Sequence, residues 1–272
     1  MARIFAIANQ KGGVGKTTTT VNLAASLAAT QRRVLLVDLD PQGNATMGCG
    51  IDKQGCDLTL YDLLVGPIAI DRVMRRCSVA GFDVLPSNGD LTAAEVELLQ
   101  VEGCELVLRN ILAQLRNNYD FILIDCPPTL NMLTLNALAA ADGVLVPIQC
   151  EYYALEGLSA LMNTVAHVSA DINPSLKIEG LLRTMYDPRN SLTRDVSEQL
   201  TAHFGERVYR TVIPRNVRLA EAPSHGEPVL TYDKQSKGAV AYLALAGEML
   251  RREEERVAAA ELVSTDQNIS TL

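Results

Sequence analysis

The sequence lacks the features of membrane, secreted and disulfide-stabilised proteins. No apolar run reaches the ~20 residues that a membrane-spanning helix needs, because the best candidate, residues 137–148, is short and contains Asp142. The six cysteines form no CxxC pair, which favours reduced thiols over a disulfide framework. The first residues, MARIFAIANQ, contain no signal-peptide cleavage pattern. We therefore expect a cytoplasmic protein.

Basic charge is also scarce. The chain has 24 lysines and arginines against 32 aspartates and glutamates, which gives a net charge of −8. This balance excludes a surface coated with basic charge. It still allows nucleic acid to bind at a local basic patch, because the field near a surface depends on where the charges lie.

Short apolar runs alternate with helical segments along the chain. Runs such as Phe121–Asp125 (FILID) are almost entirely apolar, which is typical of parallel strands buried on both faces. This alternation predicts an α/β fold in which a mostly parallel, twisted sheet has helices on both faces. The expected strands are residues 3–8, 33–39, 82–85, 121–125, 144–148, 178–185 and 209–213, and the expected helices are residues 17–29, 104–117, 155–168, 193–204 and 238–257.

The sequence shows no internal repeat and no interdomain linker. We therefore expect a single domain over residues 1–257. The remaining residues, 258–272, are polar and end in STDQNISTL. This composition predicts a disordered tail.

A glycine-rich segment, KGGVGKTT at residues 11–18, joins the first expected strand to the first expected helix. It matches the phosphate-loop pattern GxxxxGK[ST] except at the first position, which is Gln10. Gly12, Gly13 and Gly15 let backbone N–H groups surround phosphate oxygens without Cβ clashes. The segment therefore predicts a P-loop NTPase.

The remaining loop residues have distinct expected roles. The backbone of Val14 belongs to the phosphate-binding loop, and the helix that begins near Lys16 points its positive dipole end at the phosphates. We expect Lys16 to contact the β- and γ-phosphates, Thr17 to ligate Mg²⁺ and Thr18 to bind the α-phosphate.

Three aspartates follow buried strands. Asp38 and Asp40 end the second expected strand, and Asp125 ends FILID in a Walker B arrangement. The carboxyl ends of parallel strands face the ligand crevice, and a carboxylate there can hold Mg²⁺ through its water shell. Asp38 and Asp125 are therefore candidate metal-site residues, together with Thr17.

Four further segments extend the pattern: VDLDPQGNAT (residues 37–46), IDCPP (124–128), QCEYYALEGL (149–158) and VIPRNVRLAEAPSHGEPV (212–229). Together with KGGVGKTT, a deviant Walker A motif, they resemble the chromosomal ParA (Soj-type) partition ATPases of the ParA/MinD superfamily. The resemblance covers nearly the whole chain up to the tail.

The resemblance implies an ATPase that segregates a chromosome or plasmid with ATP and Mg²⁺ as cofactors. ATP would drive a homodimer that binds nonspecific double-stranded DNA and no membrane. A ParB-type centromere-binding protein, together with DNA, would stimulate a weak intrinsic hydrolysis and so release the DNA. The expected location is the cytoplasm, on the nucleoid.

The resemblance also assigns roles to single residues. Lys11 would reach across the dimer to phosphate bound by the partner, and Asp40 would position the attacking water. Pro214, Arg215 and Asn216 would contact adenine. From the residues alone, Lys11 is equally well an exposed loop lysine, and Asn216 is better interpreted as the N-cap of a helix.

Arg189 and Arg218 match family positions implicated in DNA binding. No helix-turn-helix precedes the phosphate loop, so we expect sequence-independent contacts to DNA phosphates. For each arginine alone, scattered solubilising charge is an equally good interpretation.

Three rival functions remain. A MinD-like membrane-positioning ATPase needs a basic amphipathic C-terminal helix, whereas this chain ends in the acid-rich MLRREEERVAAAELVSTDQNISTL. An iron–sulfur reductase would use Cys126 as a cluster ligand. The third rival is a nucleotide-bound scaffold without enzymatic activity.

Overall fold

The computed structural model describes residues 1–152 and 154–269. Its centre is an eight-stranded sheet in the order β3-β4-β2-β5-β1-β6-β7-β8. Every neighbouring pair is parallel except β3 and β4. The strands are β1 (Arg3–Ile7), β2 (Val34–Asp38), β3 (Arg75–Cys77), β4 (Phe82–Leu85), β5 (Phe121–Asp125), β6 (Gly143–Gln149), β7 (Lys177–Tyr186) and β8 (Val208–Pro214).

Helices connect the parallel strands. They are α1 (Lys16–Ala29), α2 (Asn44–Gly48), α3 (Leu60–Val65), α4 (Ile70–Val73), α5 (Leu91–Glu97), α6 (Val107–Ala113), α7 (Met132–Ala140), α8 (Ala154–Asp171), α9 (Ser191–Phe204), α10 (Val217–Glu221), α11 (Val229–Tyr232) and α12 (Lys237–Ile269). Short 3-10 segments occur at Leu98–Gln100, Cys104–Leu106, Gly205–Arg207 and Ala222–His225.

The strands are apolar on both faces because helices cover both. In β1, Ile4 and Ala6 face a core layer shared with α3 and α5 to α9. Phe5 and Ile7 face the opposite layer, which includes α1 and α12. Successive side chains of a strand point to opposite faces, so a continuous apolar run fits this position. The predicted α/β fold with a mostly parallel sheet is confirmed.

Several element predictions differ from the structure. The edge strand β3 was not predicted, because its sequence, RRC, carries no apolar run. The helix expected over residues 104–117 is a 3-10 turn followed by the shorter α6.

The last helix, α12, runs to Ile269 rather than to the predicted end at residue 257. The segment AAAEL at residues 258–262 consists of strong helix formers, which is the physical reason for the longer helix. Residues 270–272 of the expected tail lie outside the described residues. The division at residue 257 into a domain and a tail stays a prediction.

The exposed edge of the sheet is protected by one carboxylate. β8 is an edge strand, and Glu248 of α12 accepts hydrogen bonds from the backbone N–H groups of Arg210 at 2.8 Å and Thr211 at 2.9 Å. The Thr211 hydroxyl donates a third bond at 2.7 Å. Burial raises the pKa of Glu248, but these hydrogen bonds outweigh it and hold that pKa below its ordinary value. Occupied N–H groups cannot pair with another chain.

We therefore expect Glu248→Gln to lower the free energy of unfolding by about 1–3 kcal/mol, since a buried, charged acceptor is lost. A depressed pKa stabilises the fold above the unfolded value near 4.5, and this contribution is lost as pH falls through the folded value. Urea unfolding between pH 3 and 7 measures both effects. Glu254→Gln, on the exposed side of α12, is the matched control, and equal stabilities for the two variants would contradict the role of Glu248.

Candidate functional site

The phosphate loop joins β1 to α1 at the carboxyl edge of the sheet. Gly13 and Gly15 have φ angles of 73° and 88°, a left-handed conformation that side chains rarely adopt. Asn9 fixes the loop from below: its Nδ2 donates to the Pro147 carbonyl at 2.8 Å, and its Oδ1 accepts from the Lys11 N–H at 2.9 Å. The loop is therefore held in shape by the neighbouring strand β6.

Lys16 is the first residue of α1 and lies almost buried beneath the loop. Its Nζ contacts the Lys11 carbonyl at 3.3 Å. Burial lowers the pKa of Lys16, while the nearby Asp125, Cys126 and Asp40 act in the opposite direction. A bound anion would stabilise the charged form of Lys16, because phosphate oxygens would replace the water that the buried ammonium has lost.

Asp125 is fully buried at the end of β5. One carboxylate oxygen, Oδ1, accepts from the Thr20 hydroxyl at 2.9 Å. The other, Oδ2, has no hydrogen-bond partner among the described residues. Burial and the nearby Asp38 raise the pKa of Asp125 to about 8, against the opposing effect of the Thr17 and Thr20 hydroxyls. A buried oxygen without a donor, with Thr17 beside it, fits the water shell of a divalent cation.

Asp38 lies beside Asp125, at the same register position of the neighbouring strand. Its Oδ2 accepts from the Thr46 N–H and hydroxyl, both at 2.7 Å, and its Oδ1 accepts from the Asp40 N–H at 3.3 Å. Burial raises the pKa of Asp38 to about 6. Its oxygens are thus occupied by the loop that follows β2, so Asp38 orders that loop.

Asp40 lies in the loop between β2 and α2 and is only partly buried. Its Oδ1 accepts from the Gln42 N–H at 2.9 Å. Ser87, just after β4, donates to the Asp40 carbonyl at 2.8 Å, and its N–H donates to the Thr46 hydroxyl at 2.9 Å. Sequence reasoning missed Ser87, although its position after a strand at the same sheet edge was an available signal.

A cavity of about 190 Å³ adjoins the phosphate loop. Gly15 and Thr18 line one side, and Pro214, Arg215 and Asn216 line another. The structure therefore brings together two segments that are about 200 residues apart in the sequence. Further lining residues, which the sequence did not single out, are Thr184, Met185, Ile213, Leu219, Ala220 and Tyr242.

The surroundings of Asn216 bear on both of its interpretations, the helix N-cap and the adenine contact. It occupies the N-cap position of α10, but its side chain makes no capping hydrogen bond. Its Oδ1 is buried and has no partner among the described residues. An amide oxygen left free in the wall of a cavity is suited to accept a hydrogen bond from a ligand.

Lys11 pairs with Glu151, which follows β6. The Nζ–Oε2 distance is 2.7 Å, and the side chains are 38% and 47% exposed. In this structure the Lys11 ammonium is therefore partly exposed and paired with a carboxylate of the same chain. Glu151 was not singled out from the sequence, because its partner lies 140 residues away.

The two predicted DNA-binding arginines lie in segments that follow β7 and β8. Arg189 is 88% exposed and pairs with Asp187 at 2.8 Å, and Arg218 pairs with Glu221 at 2.8 Å. A second carboxylate, that of Asp233, lies 3.3 Å from Arg218. Each positive charge is therefore balanced within the chain, so the pair does not form a strongly basic patch.

Cys126 is 1% exposed and packs in the core layer of α3 and α5 to α9. Burial is the main cause of its raised thiol pKa. A thiol in this position is not available to bridge a cluster between subunits. Among the side chains that the structure describes, no group of three or more His, Cys, Asp or Glu residues is arranged to hold a metal ion.

No helix in the described part of the chain combines the length and apolarity needed to cross a membrane.

Three relatives match almost the full chain. An uncharacterised protein of Pseudomonas putida is 66% identical over 253 residues, which is 93% of this chain and 96% of the relative. The sporulation initiation inhibitor Soj of Bacillus subtilis is 53% identical and covers 92% of this chain and 98% of its own. The chromosome partitioning protein ParA of Caulobacter vibrioides is 52% identical, with coverages of 95% and 97%.

Solved structures show the same fold. Cobyrinic acid a,c-diamide synthase of Mycobacterium smegmatis, solved with ADP and magnesium, is 39% identical with a TM-score of 0.82, covering 93% of this chain and 96% of its own. The cell division ATPase MinD of Pyrococcus furiosus is 28% identical with a TM-score of 0.75, covering 92% and 99%.

A family profile described as an AAA domain matches residues 2–178, more than half of the chain. This match covers the phosphate loop and all three aspartates. The alignments with the relatives named Soj and ParA are longer than this match and cover 92% and 95% of the chain. The chain belongs to the ParA/Soj family of chromosome-partitioning ATPases.

Proposed function

We propose that this protein is an ATP hydrolase that uses ATP and Mg²⁺ to switch between DNA-bound and free states during chromosome or plasmid segregation. One observation carries the nucleotide part of the proposal. Two buried oxygens have no hydrogen-bond partner among the described residues: Asp125 Oδ2, on the strand beside β1, and Asn216 Oδ1, in a residue that shares a cavity with Gly15 and Thr18. One suits a hydrated cation, and the other suits a nucleobase amine.

The chain's own groups account for binding. The backbone of residues 12–16 surrounds the phosphates, and Lys16 neutralises them from below. Thr17 and Asp125 would hold the magnesium ion and its water shell. When bound, Mg²⁺ neutralises the charge that develops on the phosphoryl oxygens.

Base recognition is assigned to the 190 Å³ cavity. Pro214 supplies an apolar face, and the Asn216 Oδ1 accepts from the exocyclic amine of adenine. Arg215 lies in the same wall. These contacts would give the segment at the end of β8 a role in a site built around β1.

Asp40 positions the attacking water. It is partly exposed at the same sheet edge and lies in a loop anchored by Asp38, Thr46 and Ser87. A loop at this edge that carries a partly exposed carboxylate is placed to respond to the γ-phosphate.

Dimerisation would complete the site. The partly exposed Lys11 side chain pairs with Glu151 near the surface, where an ion pair contributes about 0–1 kcal/mol. Little energy therefore opposes its release toward phosphate bound by a second copy. There it would neutralise developing charge as an arginine finger does.

DNA contact is assigned to Arg189 and Arg218. In a monomer, the carboxylate partner of each arginine weakens its attraction for DNA phosphates. A dimer would present the two arginines twice and so strengthen the contact. Because contact is made to phosphates, the affinity should fall steeply with salt. A ParB-type partner, acting with DNA, would stimulate the weak intrinsic hydrolysis and release the complex from the nucleoid.

Partition is favoured over the functions of the more distant relatives. Relatives named for chromosome partition or as Soj are 52% and 53% identical to this chain. The sequence identities are 39% for the cobyrinic acid a,c-diamide synthase and 28% for MinD. Sedimentation with liposomes in the presence of ATP distinguishes partition from membrane positioning.

Lys16→Ala should weaken ATP binding by at least about 100-fold, or about 2.7 kcal/mol, because the phosphates lose their buried counter-charge. Titration with a fluorescent ATP analogue measures this change. Lys177→Ala, an exposed lysine at the opposite edge of the sheet, should bind as the wild type does. Normal affinity in Lys16→Ala would contradict the phosphate-loop assignment.

Asp40→Ala should keep ATP binding and dimers but lose about 100-fold or more in turnover, the usual scale for a group that acts on the attacking water. DNA retention is measured with ATP, ADP and no nucleotide, at two salt concentrations. The variant should retain DNA with ATP alone. Asp57→Ala, an exposed aspartate, should behave as wild type, and unchanged turnover in Asp40→Ala would remove Asp40 from catalysis.

Asp125→Asn should stabilise the protein without nucleotide and weaken its magnesium-dependent ATP binding. The pKa of Asp125 is higher in the folded protein than the value of 3.8 in the unfolded chain. Its contribution to the free energy of unfolding is therefore fully present below pH 3.8 and is lost as the pH rises toward about 8. The variant removes this loss, so at pH 7 we expect a gain of about 1–3 kcal/mol. Thermal unfolding at pH 5 and 8 measures it, with the exposed Asp195→Asn as control. A less stable Asp125→Asn at pH 8 would contradict the electrostatic account.

A further inference from the structure

An exposed apolar patch lies on and beside α5, away from the nucleotide site. Val96, Leu99 and Val101 are 66%, 61% and 45% exposed, and Leu130 in the loop after β5 is 48% exposed. We refer to these four residues as the α5 patch. Isolated apolar residues on a surface are common, whereas clustered ones mark interaction sites.

The patch exists because α5 has already buried its other face. Leu91, Ala94 and Leu98 pack into the core, so Val96 and Leu99, three residues apart, share the outer surface. Leu99 is also one helical turn from Glu95. The Glu95 carboxylate accepts a hydrogen bond from the side-chain amide of Asn131, which places the adjacent Leu130 beside α5.

The surroundings of the patch are acidic. Residues 77–108 contain six aspartates and glutamates and no lysine or arginine. Glu97 and Glu102 are exposed between and beside the apolar residues. This arrangement repels DNA and anionic membranes and attracts basic groups.

The patch is also connected to the catalytic edge of the sheet. Asn131 Oδ1 accepts from the Thr134 N–H at 3.0 Å and so caps α7. The segment between Asp125 and this cap is five residues long, residues 126–130. A ligand that covers Leu130 and Glu95 therefore touches the loop that leaves the proposed magnesium site.

We propose that the α5 patch is the docking surface for a basic amphipathic segment of a protein partner. Leucine-like side chains of that segment would cover Val96, Leu99 and Leu130, and its lysines or arginines would pair with Glu97 and Glu102. The proposal rests on the proposed function, because it assigns to this surface the partner that stimulates hydrolysis. Interfaces of this kind combine an apolar centre with a charged rim.

The test uses the full chain and two synthetic 16-residue helical peptides. One carries leucines on one face and lysines and arginines on the other, and the second replaces every basic residue with glutamate. Fluorescence anisotropy measures binding to the wild type, to Leu99→Ser and to Glu102→Lys. The matched control is Val79→Ser, because Val79 is 51% exposed in the turn between β3 and β4.

The basic peptide should bind the wild type and Val79→Ser equally, and about 10-fold more weakly to Leu99→Ser and Glu102→Lys. The acidic peptide should not bind. Equal binding of the basic peptide to all four proteins would overturn the proposal, since it would reflect net charge alone. Sedimentation that shows dimers of the wild type but not of Leu99→Ser would overturn it too, in favour of a second copy as the occupant.

ATP turnover separates this proposal from the proposed function. A full-length ParB-type partner should stimulate the wild type and Val79→Ser but not Leu99→Ser, while all three keep the same basal rate. Equal stimulation of all three would contradict the docking surface. If the wild type binds the basic peptide but hydrolyses no ATP, the proposed function fails and the docking surface still stands.

Discussion

The burial of two carboxylates at adjacent strand ends is the constraint on which the rest of the site depends. Asp38 and Asp125 lie at the same register position of β2 and β5 and are both fully buried. Placing two like charges there is costly, and burial raises the pKa of each. The two carboxylates differ in their hydrogen bonds: Asp38 accepts from Thr46 and from the Asp40 N–H, whereas one oxygen of Asp125 has no partner among the described residues.

Because of this difference, the two carboxylates have different roles at the carboxyl edge of the sheet. Asp38 organises a loop, and through Thr46 and Ser87 it joins the ends of β2 and β4 into one unit. The buried carboxylate of Asp125 is only partly compensated until a cation binds. Such a partly compensated buried group lowers the stability of the nucleotide-free protein. Metal and nucleotide binding compensate it and can therefore favour the conformation that binds them.

Many aspects of the fold follow from local pattern. Runs such as FILID are buried on both faces because helices lie on both sides of the sheet. The continuous apolar runs and their alternation with helical segments predicted that arrangement. The strand β3 was missed because RRC has neither alternation nor an apolar run; only its antiparallel pairing with β4 makes it a strand. The predicted end of α12 at residue 257 is wrong because the alanines that follow favour a helix even in a polar segment.

Residue type, spacing and position after a strand were enough to mark the candidate site residues in the sequence by itself: the glycines of the phosphate loop, Lys16, Thr17 and the three aspartates. The expected role of Asp40 came from the family resemblance. Tertiary structure alone decided which distant residues join them. Ser87, Glu151, Thr184 and Tyr242 reach the site from other elements. Only three-dimensional packing shows that Asn216 leaves its cap unmade and faces a cavity. The physical reason is that a parallel sheet brings the carboxyl ends of all its strands to one edge, whatever their separation along the chain.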